Sequence, residues 1–432
     1  MERKIENTIL NWKNSSKRMP LIIKGARQIG KTYTALMIGK KYYKNTVYFN
    51  MEDSQELVSI FEKDFDIERI ITELSIRSGE SIFKNETLII FDEIQACERA
   101  LLSLKYFCEK APEYHIIAAG SLLGVALNRE KYSFPVGKVD MITMYPMDFE
   151  EFLWALNQHD LADAIREHYQ SNEMFSLHDT AMMYYKTYLL VGGMPRAVLD
   201  YIETKDYNFV TASQKSLNDS YIADMAKYAT PNETTKIMNA YNSIPAQLSK
   251  ENKKFQYKVI KSGARAYEYE TPIEWLNASG VINKCVKVRE GKMPLSVFVE
   301  NESFKIYMAD TGILCSKFSI PAKMILTETN AFDGFKGALT ENYVAAALKT
   351  NGYDLYYWEA NGKAELDFVI QSAEGDIIPV EVKAADNVRA KSLGVFMKKY
   401  DIQKAIRISS KNFGFENNIK SVPLYAVFAI SE

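Results

Sequence analysis

Three stretches of this sequence carry residues whose types and spacing could do chemistry. The first is Gly25-Ala26-Arg27-Gln28-Ile29-Gly30-Lys31-Thr32, which fits G-x-x-x-x-G-K-[ST]. Its glycines let the backbone curl so that successive N–H groups point at phosphate oxygens. A helix opening at the lysine would turn its positive end toward the same anion. Lys31 would then reach the outer phosphates of a nucleoside triphosphate, and the Thr32 hydroxyl would ligate Mg²⁺. The second stretch is Asp92-Glu93, which closes the apolar run Leu88-Ile89-Ile90-Phe91. Asp92 would hold Mg²⁺ through water, and Glu93 would orient and deprotonate the attacking water. Ser121, after the apolar run 115–119, is a candidate polar sensor between the two carboxylates and the terminal phosphate. Lys138 and Arg129 are cationic candidates for touching that phosphate. ATP and Mg²⁺ are the implied substrate and cofactor.

The third stretch is C-terminal. Asp367 and the Glu381-x-Lys383 pair lie on two apolar runs, 364–370 and 377–383, around a turn at Gly375. Residues two apart in a strand face the same side, so Glu381 and Lys383 would project together. Opposed residues of a hairpin have a constant index sum, so a loop centred on Glu374 would set Asp367 opposite Glu381. Two carboxylates could hold Mg²⁺ against a phosphodiester while the lysine positions or deprotonates water. Glu341, on an expected helix over 337–349, could complete the ligand set. E-x-K by itself is a weak pattern; the ordered set of helix Glu, strand Asp and strand E-x-K is stronger.

The elements needed to position these groups are legible in outline. A charged amphipathic helix is expected over 3–18, with Ile5, Ile9, Leu10 and Trp12 as its apolar set. Strands are expected at 21–23, 46–50, 87–91 and 115–119, with a last one in 133–146. Helical patterns fall between them, at 33–40, 54–80 and 97–110. That alternation argues for a parallel sheet covered by helices on both faces. Residues 147–232 read as helical and rich in Tyr and Met, with a turn at Val191-Gly192-Gly193-Met194-Pro195. Residues 233–300 read as three helices and then a β-hairpin, the order of a winged-helix module. Lys250, Lys253, Lys254, Lys258, Lys261 and Arg265 run along its middle, as phosphate contacts to DNA require. Residues 301–432 read as a further α/β unit. The expected domains are therefore 1–146, 147–232, 233–300 and 301–432.

Composition narrows the class. In 432 residues, 47% hydrophobic and 25% charged content is that of an ordinary soluble globular protein. A net charge of −2 gives no global attraction to nucleic acid, so any basic patch must be local. Cys97, Cys108, Cys285 and Cys315 form no C-x-x-C pair, and the four histidines form no metal-ligand pattern. The N-terminus Met1-Glu2-Arg3-Lys4 is polar, and the most apolar segment, 116–127, is too short to span a bilayer. A cytoplasmic protein is expected.

Taken together, these residues resemble a widespread group of prokaryotic AAA-type ATPases with a C-terminal domain of unknown function. The resemblance rests on Gly25–Thr32, Phe91-Asp92-Glu93, Gly120-Ser121 and Gly192-Gly193-Met194-Pro195. It rests also on Tyr307-Met308-Ala309-Asp310-Thr311-Gly312 and on Leu366-Asp367 with Glu381-Val382-Lys383. The end segment is similar to the PD-(D/E)xK restriction-endonuclease-like fold. The resemblance implies an AAA-like ATPase, and the leading reading of the whole chain is that its nucleotide state controls a DNA-associated, endonuclease-like C-terminal half. It leaves two alternatives open there: an Mg²⁺-dependent nuclease, or an inert module that binds a protein partner. Lys138 stands where the family's stretch is expected to carry an arginine.

Overall fold

The structure is a computed structural model that describes residues 1–121, 134–327, 333–360, 364–383 and 391–432. The described residues form two compact units. One is Glu2–Tyr145 with Ala278–Gly280; the other is Met1, Pro146–Asn277 and Val281–Glu432.

The first unit holds β1 (Leu21–Lys24), β2 (Asn45–Asn50), β3 (Thr87–Asp92), β4 (His115–Gly120) and β5 (Asp140–Thr143). All pair in parallel, in the order β2-β3-β4-β1-β5. Parallel strands covered on both faces need continuous apolar runs, and β3 and β4 are buried at every residue. Ile89 and Phe91 pack among Ile70, Leu74, Leu104 and Phe107 of the flanking helices. Helix starts follow local signals: the Ser54 and Asp66 side chains accept N–H groups of the helices Gln55–Glu62 and Ile67–Ser78. The last strand occupies only Asp140–Thr143 of the expected 133–146. Residues 137–139 are a turn and bend, and pairing with β1 begins at Asp140, where the chain meets Leu21.

The second unit opens with helices, among them Phe149–Ala155, His178–Val191, Pro195–Thr204, Tyr207–Tyr228, Pro231–Leu248 and Ala266–Ala278. Its strands are β6 (Ile282–Val288), β7 (Val299–Met308), β8 (Tyr356–Ala360), β9 (Ala364–Gln371), β10 (Ile377–Val382), β11 (Ala405–Ser409), β12 (Gly414–Glu416) and β13 (Ile419–Pro423). They form one mixed sheet, in the order β12-β13-β11-β10-β9-β8-β6-β7. The separate winged-helix module is therefore corrected. Its hairpin, β6–β7, is an edge of this sheet, because β6 also pairs in parallel with β8. The second strand of the hairpin is the continuous β7, which follows a short 3₁₀ turn at Leu295–Phe298. The polar interruption Glu300-Asn301-Glu302 lies on an edge strand, where exposure is tolerated.

Two stretches singled out in the sequence meet here. Asp310 is buried; its carboxylate accepts the N–H groups of Gly193 (2.6 Å) and Ile313 (2.8 Å). Gly192 has φ +71°, and a Cβ there would stand 2.5 Å from an Asp310 oxygen. Only glycine fits both the backbone and that approach. Burial pushes the Asp310 carboxyl up to about 6 against the pull of these N–H groups. Their role is to pin two loops of the second unit together.

Candidate functional site

Because the five strands of the first unit are parallel, Lys24, Asn50, Asp92, Gly120 and Thr143 end at one edge. Ligands of such sheets bind at that edge. The loop after β1 needs unusual backbone: Gly25 has φ +146°, Gln28 +63° and Gly30 +96°. A Cβ at Gly25 would lie 2.2 Å from the Met144 carbonyl oxygen. Ala26 and Ile29 are buried, Arg27 is half-buried and Gln28 is exposed. The helix Lys31–Tyr42 starts directly after Gly30. Lys31, buried, donates to the carbonyls of Gly25 (3.0 Å) and Ala26 (2.7 Å), which keeps its ammonium over the loop.

The Thr32 hydroxyl donates to Asp92 Oδ2 at 2.7 Å, joining the loop after β1 to the end of β3. Tyr48 on β2 donates to the same oxygen at 2.9 Å; burial and the Asp92 charge push its phenol up. Tyr48 was invisible to sequence reading, since it is one residue of a strand with no motif. Asp92 Oδ1 accepts the Glu93 N–H at 3.0 Å. Glu93 stands in left-handed backbone, φ +47°, which turns its carboxylate out of the strand line. Gln95 donates to Glu93 Oε2 at 2.5 Å, and the Ser121 hydroxyl is 3.4 Å from the same oxygen. β4 lies between β1 and β3, so Ser121 stands between the loop and the two carboxylates. Thr32, Asp92, Glu93 and Ser121 are thus neighbours. A hydroxyl and a carboxylate are hard oxygen donors of the kind Mg²⁺ takes. Lys138 is turned to Glu109, 3.0 Å away, and Arg129 lies outside the described residues.

The C-terminal hairpin has the expected centre, but its pairing ends before Asp367 and Glu381. The β9–β10 pairs run from Ile377↔Gln371 to Val380↔Phe368, so the hairpin is centred on Glu374. Regular pairing stops there. The next N–H, that of Val382, donates to the Asp367 side chain, Oδ2 at 2.8 Å. On its other edge β9 also loses register against β8, between Tyr356 and Trp358. Glu381 is buried; one oxygen takes Lys383 at 2.9 Å, and Oε2 has no hydrogen-bond partner among the described residues.

Glu341 is held by three other groups. Lys253 and the Tyr307 hydroxyl bind it closely, and Lys305 lies 3.3 Å away. Lys305, buried in β7, also pairs with Glu365 at 2.8 Å and sits over the Tyr357 ring. Burial would raise the Glu341 carboxyl, but Lys305 and Lys253 outweigh it and hold it low. Burial and the Glu341 charge push Asp367 up. The expected cation set of Glu341, Asp367 and Glu381 is thus interleaved with Lys253, Lys305 and Lys383. Among the described residues no group of three or more His, Cys, Asp or Glu side chains is placed to hold a metal ion. Lysine ammonium groups pair with Glu341 and Glu381. Lys305 was missed because a single lysine in an apolar strand has no sequence signature beyond its isolation.

The basic run is split likewise. Lys253 is bound to Glu341, Lys254 to Glu359, and Lys250 donates to Gln256 at 3.0 Å. Lys258, Lys261 and Arg265 are exposed. No helix among the described residues is long and apolar enough to cross a membrane.

The parallel sheet, the glycine-bearing loop and the paired carboxylates at one edge are the parts of a P-loop α/β domain. Residues 17–153 match the family model of the AAA domain. Residues 182–323 and 336–427 match models of two domains of unknown function, DUF8612 and DUF4143. Among solved structures, the chain is similar to a Walker-type ATPase of Pyrococcus abyssi. Identity is 14%, over 73% of this chain and 95% of that one, with a TM-score of 0.45. It is similar also to the ORC2 protein of Aeropyrum pernix in ADPNP–ADP complexes, at 12% identity over 75% and 90% of the two chains and a TM-score of 0.36. A third is RuvB of Thermotoga maritima, at 12% identity over 68% and 90%, with a TM-score of 0.32. A search of the curated proteins gave no match.

Proposed function

We propose that this chain binds ATP at Gly25–Thr32 and hydrolyses it, and that its nucleotide state controls what the second unit binds. The observation that carries the reading is the 2.7 Å bond from Thr32 to Asp92, which brings the loop and the acidic strand end to one point. Thr32 and Asp92 are the residues that would hold Mg²⁺; bound there, the ion supplies positive charge against the outer phosphates. Lys31 adds a fixed ammonium to the same end. Glu93, held by Gln95 and faced by Ser121, takes the proton of the attacking water.

For the second unit the geometry favours a binding module over a nuclease. Its Glu341 and Glu381 are paired with Lys253, Lys305 and Lys383, and the exposed cations Lys258, Lys261 and Arg265 offer phosphate contacts. DNA is the partner those cations suit, and a protein partner is the alternative. The test of the ATPase reading is phosphate release by the purified chain. Lys31→Ala should bind no ATP. Glu93→Gln should bind ATP and release no phosphate, because an amide cannot accept the water's proton. Unchanged turnover in Glu93→Gln would assign the base elsewhere.

A further inference from the structure

Arg3 belongs to a polar N-terminal stretch with no motif, yet it is 7% exposed. Its guanidinium bridges two backbone carbonyls distant in sequence. Nη1 donates to Ile29 at 2.8 Å, inside the phosphate-binding loop. Nη2 donates to Tyr145 at 2.6 Å. The other end of the loop is tied to the same place: Met144 N–H donates to the Lys24 carbonyl at 2.8 Å. Gly25 packs so closely on the Met144 carbonyl that a Cβ would reach 2.2 Å. The loop is thus a ring, closed at its base by Met144-Tyr145 and completed through Arg3.

We infer that Arg3 is a positioning residue for nucleotide binding, acting through the Ile29 carbonyl. In a planar trans peptide the carbonyl and the following N–H point in opposite directions. A carbonyl of Ile29 fixed by Arg3 therefore fixes the Gly30 N–H on the other side, toward the phosphate cradle. Arginine suits the task because its rigid fork reaches two acceptors at once; lysine offers one point of charge. Without Arg3 the Ile29–Gly30 peptide can rotate, and the loop must be ordered at the expense of binding.

The inference rests on the reading of Gly25–Thr32 as the nucleotide site, and the experiment separates the two. Affinity for a fluorescent N-methylanthraniloyl derivative of ADP is measured by titration of the full chain, well below its unfolding midpoint. Arg3→Ala should bind about tenfold more weakly or worse, a loss of about 1.4 kcal/mol. Millimolar guanidinium, far below denaturing levels, should restore part of that affinity. Arg3→Lys should fall between Arg3→Ala and wild type. Trp12→Phe is the stability control. It removes the 2.7 Å bond from Trp12 to the Met19 carbonyl in the same region without touching the loop, and should leave affinity unchanged. If Arg3→Ala and Arg3→Lys bind like wild type, the inference is overturned. It is overturned too if Trp12→Phe loses affinity in proportion to its stability as Arg3→Ala does. If wild type and Lys31→Ala bind the probe equally, the nucleotide-site reading itself falls.

Discussion

Lys305→Met tests how charge is balanced inside the second unit. The Lys305 ammonium, on a side chain 2% exposed, lies 3.3 Å from Glu341 and 2.8 Å from Glu365. At an effective dielectric of about 20, each attraction is about 5 to 6 kcal/mol before dehydration is counted. Glu365 is a third exposed, so its share is strongly screened. Dehydrating a buried ion costs several kcal/mol, so the net worth of the pair is small. Removing one partner is different, because it strands the other charge, at a cost of about 3 to 5 kcal/mol. Glu341 keeps Lys253 and Tyr307, which puts the expected loss near the low end, about 3 kcal/mol. Adding Glu341→Gln should recover at least about 1 kcal/mol of that, as coupled neighbours do. Glu341 is held low, at about 2, so its ion pairs contribute fully above the ordinary carboxylate range and fade as pH falls below that range through about 2. The gap between wild type and Lys305→Met should therefore narrow in acid. Urea unfolding by tryptophan fluorescence in a Trp12→Phe background reads the second unit, where Trp154, Trp275 and Trp358 lie. A loss under about 1 kcal/mol at neutral pH, or a double variant no more stable than additivity predicts, refutes the reasoning.

Further expectations follow from the same coordinates. Gly25→Ala forces a side chain to within 2.2 Å of the Met144 carbonyl at φ +146°, so nucleotide affinity should fall by at least about tenfold, read by the same ADP-analogue titration. Asp310, raised to about 6 by burial, contributes stability that is complete below the ordinary carboxylate range and lost as pH rises through about 6. Asp367 shifts the same way. The urea midpoint of the second unit should carry a downward component between about pH 4 and 6 that Asp310→Asn flattens; an unchanged slope in that variant counts against it. If the second unit binds duplex DNA, neutralising Lys258, Lys261 and Arg265 should reduce the salt dependence by about 0.9 per lost phosphate contact. Neutralising Lys253 and Lys254 should lower stability instead, because those lysines are engaged with Glu341 and Glu359.

What the sequence by itself determined was local. Gly25–Thr32 between an apolar run and a helix, and Asp92-Glu93 at the end of another apolar run, announce themselves over fewer than ten residues. So do the alternating strands and helices of the first unit, because apolar runs of strand length and helical periodicity are short-range signals. Even the centre of the β9–β10 hairpin followed from index arithmetic, Leu366 and Phe368 alternating against Val380 and Val382. Where that hairpin stops pairing did not follow, because the break at Phe368 comes with irregularity against a third strand, β8. Only the tertiary structure decided which charges meet. Lys253 reaches Glu341 across 88 positions and Arg3 reaches Tyr145 across 142, and no local pattern encodes a partner at such distance. It also decided that β6–β7 is a sheet edge rather than a free wing. A β-hairpin reads the same from sequence whatever lies beside it, and its open edge was taken by β8, some fifty residues later in the chain.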